Sequence, residues 1–206
     1  MSRGATARLF VAVELPQQVC ERLGEWARDV AAGARAGAVP RGALRALGAP
    51  SLHLTLCFLG SRPVSEIDAL AAAIVDCEHE DVGELSLGAP LWLPTRRPRA
   101  LAVEVHDRAG GLARMHARVC ESLVRVSGWQ PERRRFRAHV TLLRVGRGGG
   151  GARRPHSERA GPQPLLPATP RLSFTPRAIV LYRSWLAADG ASYEALARSE
   201  LAPPAG

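Results

Sequence analysis

The chain alternates short apolar runs with segments whose apolar residues recur every three or four positions. Leu9 to Leu15 reads as a strand, and Pro16 suits the first turn of the helix that follows. Val19, Leu23, Trp26 and Val30 mark one face of that helix. An Ala/Gly/Arg-rich connection then runs to about Pro50. Leu52 to Leu59 reads as a strand and Pro63 to Val75 as a second helix, with Ser65 placed to cap it. Leu85 to Leu93 and Ala100 to Val105 read as strands around the polar turn from Thr95 to Arg99. Leu112, Met115, Val119, Leu123 and Val126 define a third helix, and Phe136 to Val145 a second prominent strand. Residues 146–170 are rich in Gly, Pro and Arg, include four consecutive glycines, and read as a flexible loop. Ala178 to Trp185 is a late strand and Ser192 to Leu201 a last short element, with a fraying tail from Pro203. Helices alternate with strands, but hairpin-like strand pairs intrude. The order predicts an α+β protein with antiparallel sheets.

Composition narrows this picture. At 206 residues the whole chain, 1–206, suits one domain, or one domain of two similar lobes, and a monomer is expected. Hydrophobic residues at 46% and charged residues at 23% can build an ordinary core. No apolar run approaches the ~18 residues of a membrane span. Leu9 to Leu15 is too short for a secretory signal and is interrupted by Glu14, so a cytoplasmic protein is expected. The four cysteines, Cys20, Cys57, Cys77 and Cys120, show no Cys-x-x-Cys spacing. They read as buried free thiols, and a zinc site is disfavoured. The net charge of +9 points to an anionic partner. All 28 basic residues are Arg, which looks like coding bias, so the information lies in the excess of positive charge.

The chemistry sits in a repeat. His53-Leu54-Thr55-Leu56-Cys57-Phe58-Leu59-Gly60 and His139-Val140-Thr141-Leu142-Leu143-Arg144-Val145-Gly146 share His, Thr, Leu and Gly at the same four offsets. His-x-Thr alone is a weak signal; the further matches and the strand context strengthen it. In a strand, residues i and i+2 point to one face. His53 and Thr55 therefore share a face, with Leu52, Leu54, Leu56 and Phe58 on the buried side. His139 and Thr141 likewise share a face with Arg135 and Arg137, while Phe136, Ala138, Val140 and Leu142 turn inward. Side by side, such strands would converge two imidazoles, two hydroxyls and guanidinium groups.

That set suits a phosphodiester. One imidazole can accept a proton while its twin donates one. Threonine hydroxyls can bond the non-bridging oxygens, and arginine can offset charge that develops in the transition state. A 2′,3′-cyclic phosphate is already strained, and no cluster of Asp and Glu is placed to hold a metal, so neither metal nor cofactor is expected.

These motifs resemble the 2H phosphoesterase superfamily, specifically its RNA 2′,3′-cyclic phosphodiesterases, also called 2′-5′ RNA ligases. The resemblance spans nearly the whole chain: Arg8-Leu9-Phe10-Val11-Ala12-Val13, both His-x-Thr segments, Arg96-Arg97-Pro98-Arg99, Leu181-Tyr182-Arg183-Ser184 and Gly190-Ala191-Ser192-Tyr193-Glu194. It implies two pseudo-symmetric lobes flanking a central groove, with one catalytic His from each. It also implies water attack on an RNA 2′,3′-cyclic end to give a 2′-phosphomonoester, and a weak reverse 2′-5′ ligation. By resemblance His53 is the acid and His139 the base, and Arg144 and Phe10 contact substrate; from their strand faces Thr55 and Thr141 are expected to bind the phosphate and Arg137 to contact substrate. Strict alternation would put Arg144 on the face opposite His139, so a bend or bulge is required there. Cys57, Ala138 and Leu143 depart from the residues common in relatives, and none of the three carries a proton-transfer role. Alternatives are a related enzyme acting on another cyclic phosphate or nucleotide, a non-catalytic RNA-binding module, and a metal-dependent phosphatase.

Overall fold

The computed structural model describes residues 5–33, 44–75, 77, 81–95, 98–146, 166–187 and 190–202. Most of the expected glycine-rich loop, the tail from Pro203, and His79, Arg96, Arg97 and His156 lie outside the described residues.

The first half runs β1 (Thr6–Glu14), α1 (Gln17–Gly33), β2 (Leu44–Ala46), β3 (His53–Pro63), α2 (Ile67–Val75) and β4 (Leu85–Leu93). The second runs β5 (Ala100–His106), α3 (Gly111–Ser127), β6 (His139–Val145), β7 (Ser173–Phe174), β8 (Ala178–Ala187) and β9 (Gly190–Glu200). The class is α+β, as expected from the order of elements. The strands form one nine-stranded sheet in the order β7-β4-β5-β6-β3-β1-β8-β9, with β2 paired to β6 off that path. Every pairing is antiparallel.

Each helix forms where the apolar period demands it. α1 buries Val19, Leu23, Trp26 and Val30. α3 buries Leu112, Met115, Val119 and Leu123. Fully burying one such side chain contributes about 1.5–3 kcal/mol. α3 stops at Gly128, whose φ of 61° only glycine adopts readily; its N–H donates to the Val124 carbonyl at 2.9 Å. α1 packs on β6 and β2, α2 on α3, β8 and β9, and α3 also on β3. Leu54, Leu56, Val140 and Leu142 join the buried helix residues in one core. His53, Thr55, His139 and Thr141 are half-buried on the other face of their strands.

Four details differ from the sequence-based expectation. β2 lies in a segment read as a connection and β7 in one given no element, both being too short to display a period of two. The second helix opens with a 3-10 turn over Val64–Glu66, and Ser65 falls inside it rather than capping α2. The strand expected from Phe136 begins only at His139. The short last element is the full eleven-residue strand β9.

Candidate active site

β3 and β6 are neighbours at the middle of the sheet, and their antiparallel pairing runs through Leu54 and Val140. The same register carries His53 towards Thr141 and Thr55 towards His139. The two His-x-Thr segments are thus related by an approximate twofold between the strands, with each histidine the first residue of its strand.

Both rings are oriented by the same local device. His53 Nδ1 lies 2.9 Å from the Ser51 carbonyl oxygen, and His139 Nδ1 lies 2.7 Å from that of Arg137. In each case the acceptor is the carbonyl two residues back. A carbonyl only accepts, so each Nδ1 carries the proton, and Nε2 is left to exchange one with a ligand.

Matching bulges follow. Val11 pairs with Cys57 and Ala12 with Thr55, so Leu56 has no counterpart on β1. Leu101 pairs with Leu143 and Ala102 with Thr141, so Leu142 has none on β5. Both extra residues sit three positions after a histidine. Each bulge buries two consecutive residues, Leu56 with Cys57 and Leu142 with Leu143, and reverses the alternation beyond them. Arg144 is thereby exposed on the histidine side, where its charge acts on His53. Phe58, expected on the buried side, is instead 54% exposed, because the extra residue at Leu56 turns it over. Phe58 and Arg144 occupy equivalent places in the two halves of the repeat.

The surroundings of the two histidines are unequal. The His53 ring centroid is 4.8 Å from that of Phe10 and 5.0 Å from that of Tyr193, which meets it edge-on. Tyr182 stacks on Phe10 at 5.2 Å. Phe10 is only 3% exposed, so its ring forms a wall of the His53 pocket rather than an open platform. This enclosure depresses the His53 pKa to about 4: desolvation is the main cause, the Ser51 hydrogen bond opposes it, and the charges of Arg144 and His139 add to it. On the other side, Arg137 is exposed and bound to Glu104, its Nε donating at 3.0 Å. Glu104 lies opposite His139 in the β5–β6 register. Arg135 is exposed and precedes the strand, so it does not belong to the β6 face.

A cavity of about 510 Å³ opens beside His53 rather than between the histidines, lined by Glu14, Leu52, Arg177, Tyr182 and Arg198 among others. Arg198 bridges to Glu14 at 2.7 Å, and Glu14 pairs with His53 in the β1–β3 register. Tyr182 and Tyr193, which the sequence marked only as part of a resemblance, are the residues that complete the His53 enclosure. Among the described residues, no group of three potential metal ligands includes His53 or His139. The cluster that does form is Cys57, His116 and Cys120, on the helix side of β3. Its signal in the sequence was His116 four residues before Cys120 within one helix.

The site therefore offers two pinned imidazoles, two hydroxyls from neighbouring strands and a free guanidinium, a set able to move two protons around one anionic phosphorus centre. No sequence-family model matches the chain. It is 30% identical over 144 residues to the RNA 2′,3′-cyclic phosphodiesterase of Escherichia coli (strain K12), covering 66% of this chain and 71% of that protein. The fold matches a crystal structure of a Thermus thermophilus protein at TM-score 0.70 and 26% identity, over 94% of this chain and 97% of that one. It also matches E. coli LigT, crystallised with 3′-AMP, at TM-score 0.73 over 97% and 100% of the two chains; at 23% identity that likeness speaks for the fold alone. The duplicated His-x-Thr strands, the shared fold and this extent of identity agree: the chain belongs to the RNA 2′,3′-cyclic phosphodiesterase family of 2H phosphoesterases.

Proposed function

We propose that the protein hydrolyses RNA 2′,3′-cyclic phosphate ends to 2′-phosphomonoesters, using His53 and His139 without a metal at the reacting phosphorus. The observation that carries this reading is the pair of Nδ1-pinned imidazoles on adjoining strands, one enclosed and one more open. Water attacks phosphorus and gives its proton to His139 Nε2. The P–O3′ bond breaks, and the departing O3′ takes a proton from His53 Nε2. The product keeps phosphate on O2′ and frees the 3′-hydroxyl. Attack by a 5′-hydroxyl in place of water would form a 2′-5′ phosphodiester, the reverse of cleaving one.

The inequality of the two pockets supports these roles. An imidazolium in an apolar pocket is a stronger acid than one in water, which helps it protonate an alkoxide. The unliganded His53 ring is neutral at neutral pH, so the bound phosphate anion must supply the charge that raises its pKa. Thr55 and Thr141 bond the non-bridging oxygens. Arg144 balances the charge that grows on them.

The test is product analysis on a short RNA with a 2′,3′-cyclic end in the presence of a chelator. The expected product is a 2′-phosphate, formed at an undiminished rate. Turnover that disappears with chelator and returns with a divalent ion would sink the metal-free reading. Binding without turnover would select an RNA-binding module instead, and preference for a free cyclic nucleotide would redirect the substrate assignment.

A further inference from the structure

On the helix side of β3, three potential ligands meet. Cys57 is turned inward by the bulge at Leu56, and His116 and Cys120 lie one turn apart on α3. Cys57 Sγ is 3.4 Å from Cys120 Sγ, which is 3.5 Å from His116 Nε2, and all three ligand atoms lie within 4.8 Å of one another. We infer that Cys57, His116 and Cys120 form a binding site for one borderline-soft divalent ion of the zinc(II) class.

The spacing fits the ion. With Zn–S near 2.3 Å and Zn–N near 2.0 Å, a tetrahedral site has a sulfur–sulfur edge of about 3.8 Å and a sulfur–nitrogen edge of about 3.5 Å. Two edges of the triangle already stand within a few tenths of an ångström of these values. The third, from Cys57 to His116, is at most 4.8 Å. The His116 ring lies flat on Phe136, with centroids 4.1 Å apart and planes 12° apart, which orients it before any ion arrives. His116 is half-buried, so the fourth position opens towards water on that side.

The ligand chemistry also fits. Two thiols and one imidazole are the donors an ion of this class prefers, and its binding displaces the thiol protons. Both thiols are almost fully buried, which separates the ion from the histidine pair on the opposite face of β3. This ion would fix α3 to β3 and would take no part in turnover. The four cysteines are buried and free, as the sequence suggested; the proposed site departs only from the expectation that zinc is disfavoured.

Chelator-stripped, reduced full-length protein is titrated with Co²⁺ as the probe. One equivalent is expected to give thiolate-to-cobalt charge-transfer absorption and four-coordinate visible bands, both erased by Zn²⁺. Zn²⁺ should raise the melting temperature and shield two thiols of the wild type from alkylation. Turnover of a cyclic-ended RNA should be the same with and without the ion. Cys57→Ser, Cys120→Ser and His116→Ala should each weaken Co²⁺ binding by at least the ~10–100-fold that loss of a mere supporting partner costs. The alkylation assay needs no variant, so a misfolded substitution leaves the test intact. A folded wild type without the charge-transfer band overturns the proposal. So does undiminished binding by a folded Cys57→Ser/Cys120→Ser double variant, or Zn²⁺ that leaves the wild-type thiols unshielded.

Discussion

Leu54 and Val140 pair across the middle of the sheet, each one residue after a histidine. Everything distinctive about the site follows from that register. It sets His53 and His139 on one face of adjoining antiparallel strands, and it sends the residues between and beyond them into a shared core. Two further coincidences depend on it. Each ring is pinned by the carbonyl two residues earlier, and each strand gains an extra residue three positions later. The repeat is a repeat of backbone geometry as much as of residue types.

In the proposed mechanism the two Nε2 atoms divide one reaction between them, so removing either should stop it. His53→Ala and His139→Ala should each lower turnover of a cyclic-ended oligonucleotide by about 10²–10⁴-fold. The double variant should lose far less than the product of the two losses, since neither group works without its twin. Steady-state rates on folded variants check this. Near-normal turnover in either single variant removes the two-histidine mechanism.

Arg144 and Arg137 make a contrasting pair. Arg144 reaches the histidine face by way of the Leu142 bulge, whereas Arg137 is already bound to Glu104. Arg144→Ala should therefore raise KM at least tenfold and flatten the salt dependence of RNA binding by about 0.7 in log–log slope, the value of one single-strand phosphate contact. Arg137→Ala should cost less. Binding measured between low and moderate salt decides the ranking, and the reverse order would move the substrate to the Glu104 side. Arg144→Ala should also raise the His53 pKa above about 4, because the Arg144 charge helps to hold it there.

The enclosure of His53 makes two pH predictions. Unfolded, the ring titrates near 6.5; folded, near 4. Between those values the unfolded chain binds more protons. This contribution to stability is therefore full above about pH 6.5 and is lost as pH falls towards 4, by a total on the order of 3 kcal/mol. Denaturant melts at pH 4.5 and 7.5 should show that difference shrinking in His53→Phe. Separately, NMR titration of His53 should give a pKa near 4 in the free protein and a markedly higher value with a bound 2′-phosphomononucleotide. A bound-state pKa still near 4 would exchange the roles of acid and base.

Much of this was legible in the sequence, for definite reasons. Helical faces such as Val19-Leu23-Trp26-Val30 and the alternation around His53 and His139 are local patterns, and local patterns fix helices, strands and which face a side chain takes. The need for a bulge before Arg144 was also visible, since alternation alone left that residue on the wrong side. The matching bulge at Leu56 was not, because nothing on the strand itself marks Phe58 as out of phase. β2 and β7 are two or three residues long and owe their existence to their partners β6 and β4. The burial of Phe10 depends on Tyr182 and Tyr193, which arrive from the far end of the chain. The Cys57–His116–Cys120 cluster likewise needs a strand and a helix brought together, and spacing within one segment shows only half of it.

Phe58 gives the last prediction. A phenylalanine more than half exposed gains little from the core, so its removal should hardly lower stability. Its ring lies 6.3 Å from Phe10, the residue that walls His53, and it stands where Arg144 stands in the other half of the repeat. Phe10 is buried and Tyr182 and Tyr193 are half-buried, so Phe58 is the most exposed aromatic ring described on this side of the site. Stacking of one base on an aromatic ring is worth about 1–3 kcal/mol, or roughly a 5- to 150-fold change in affinity. Phe58→Ala should therefore raise KM for a cyclic-ended RNA within that range and leave kcat and the melting temperature close to those of the wild type. Phe58→Trp should retain binding. A fall in kcat at unchanged KM would instead mean that Phe58 acts by supporting the Phe10–His53 contact. In that case the base would lie elsewhere, the cavity bounded by Tyr182 and Arg177 being the next surface to probe.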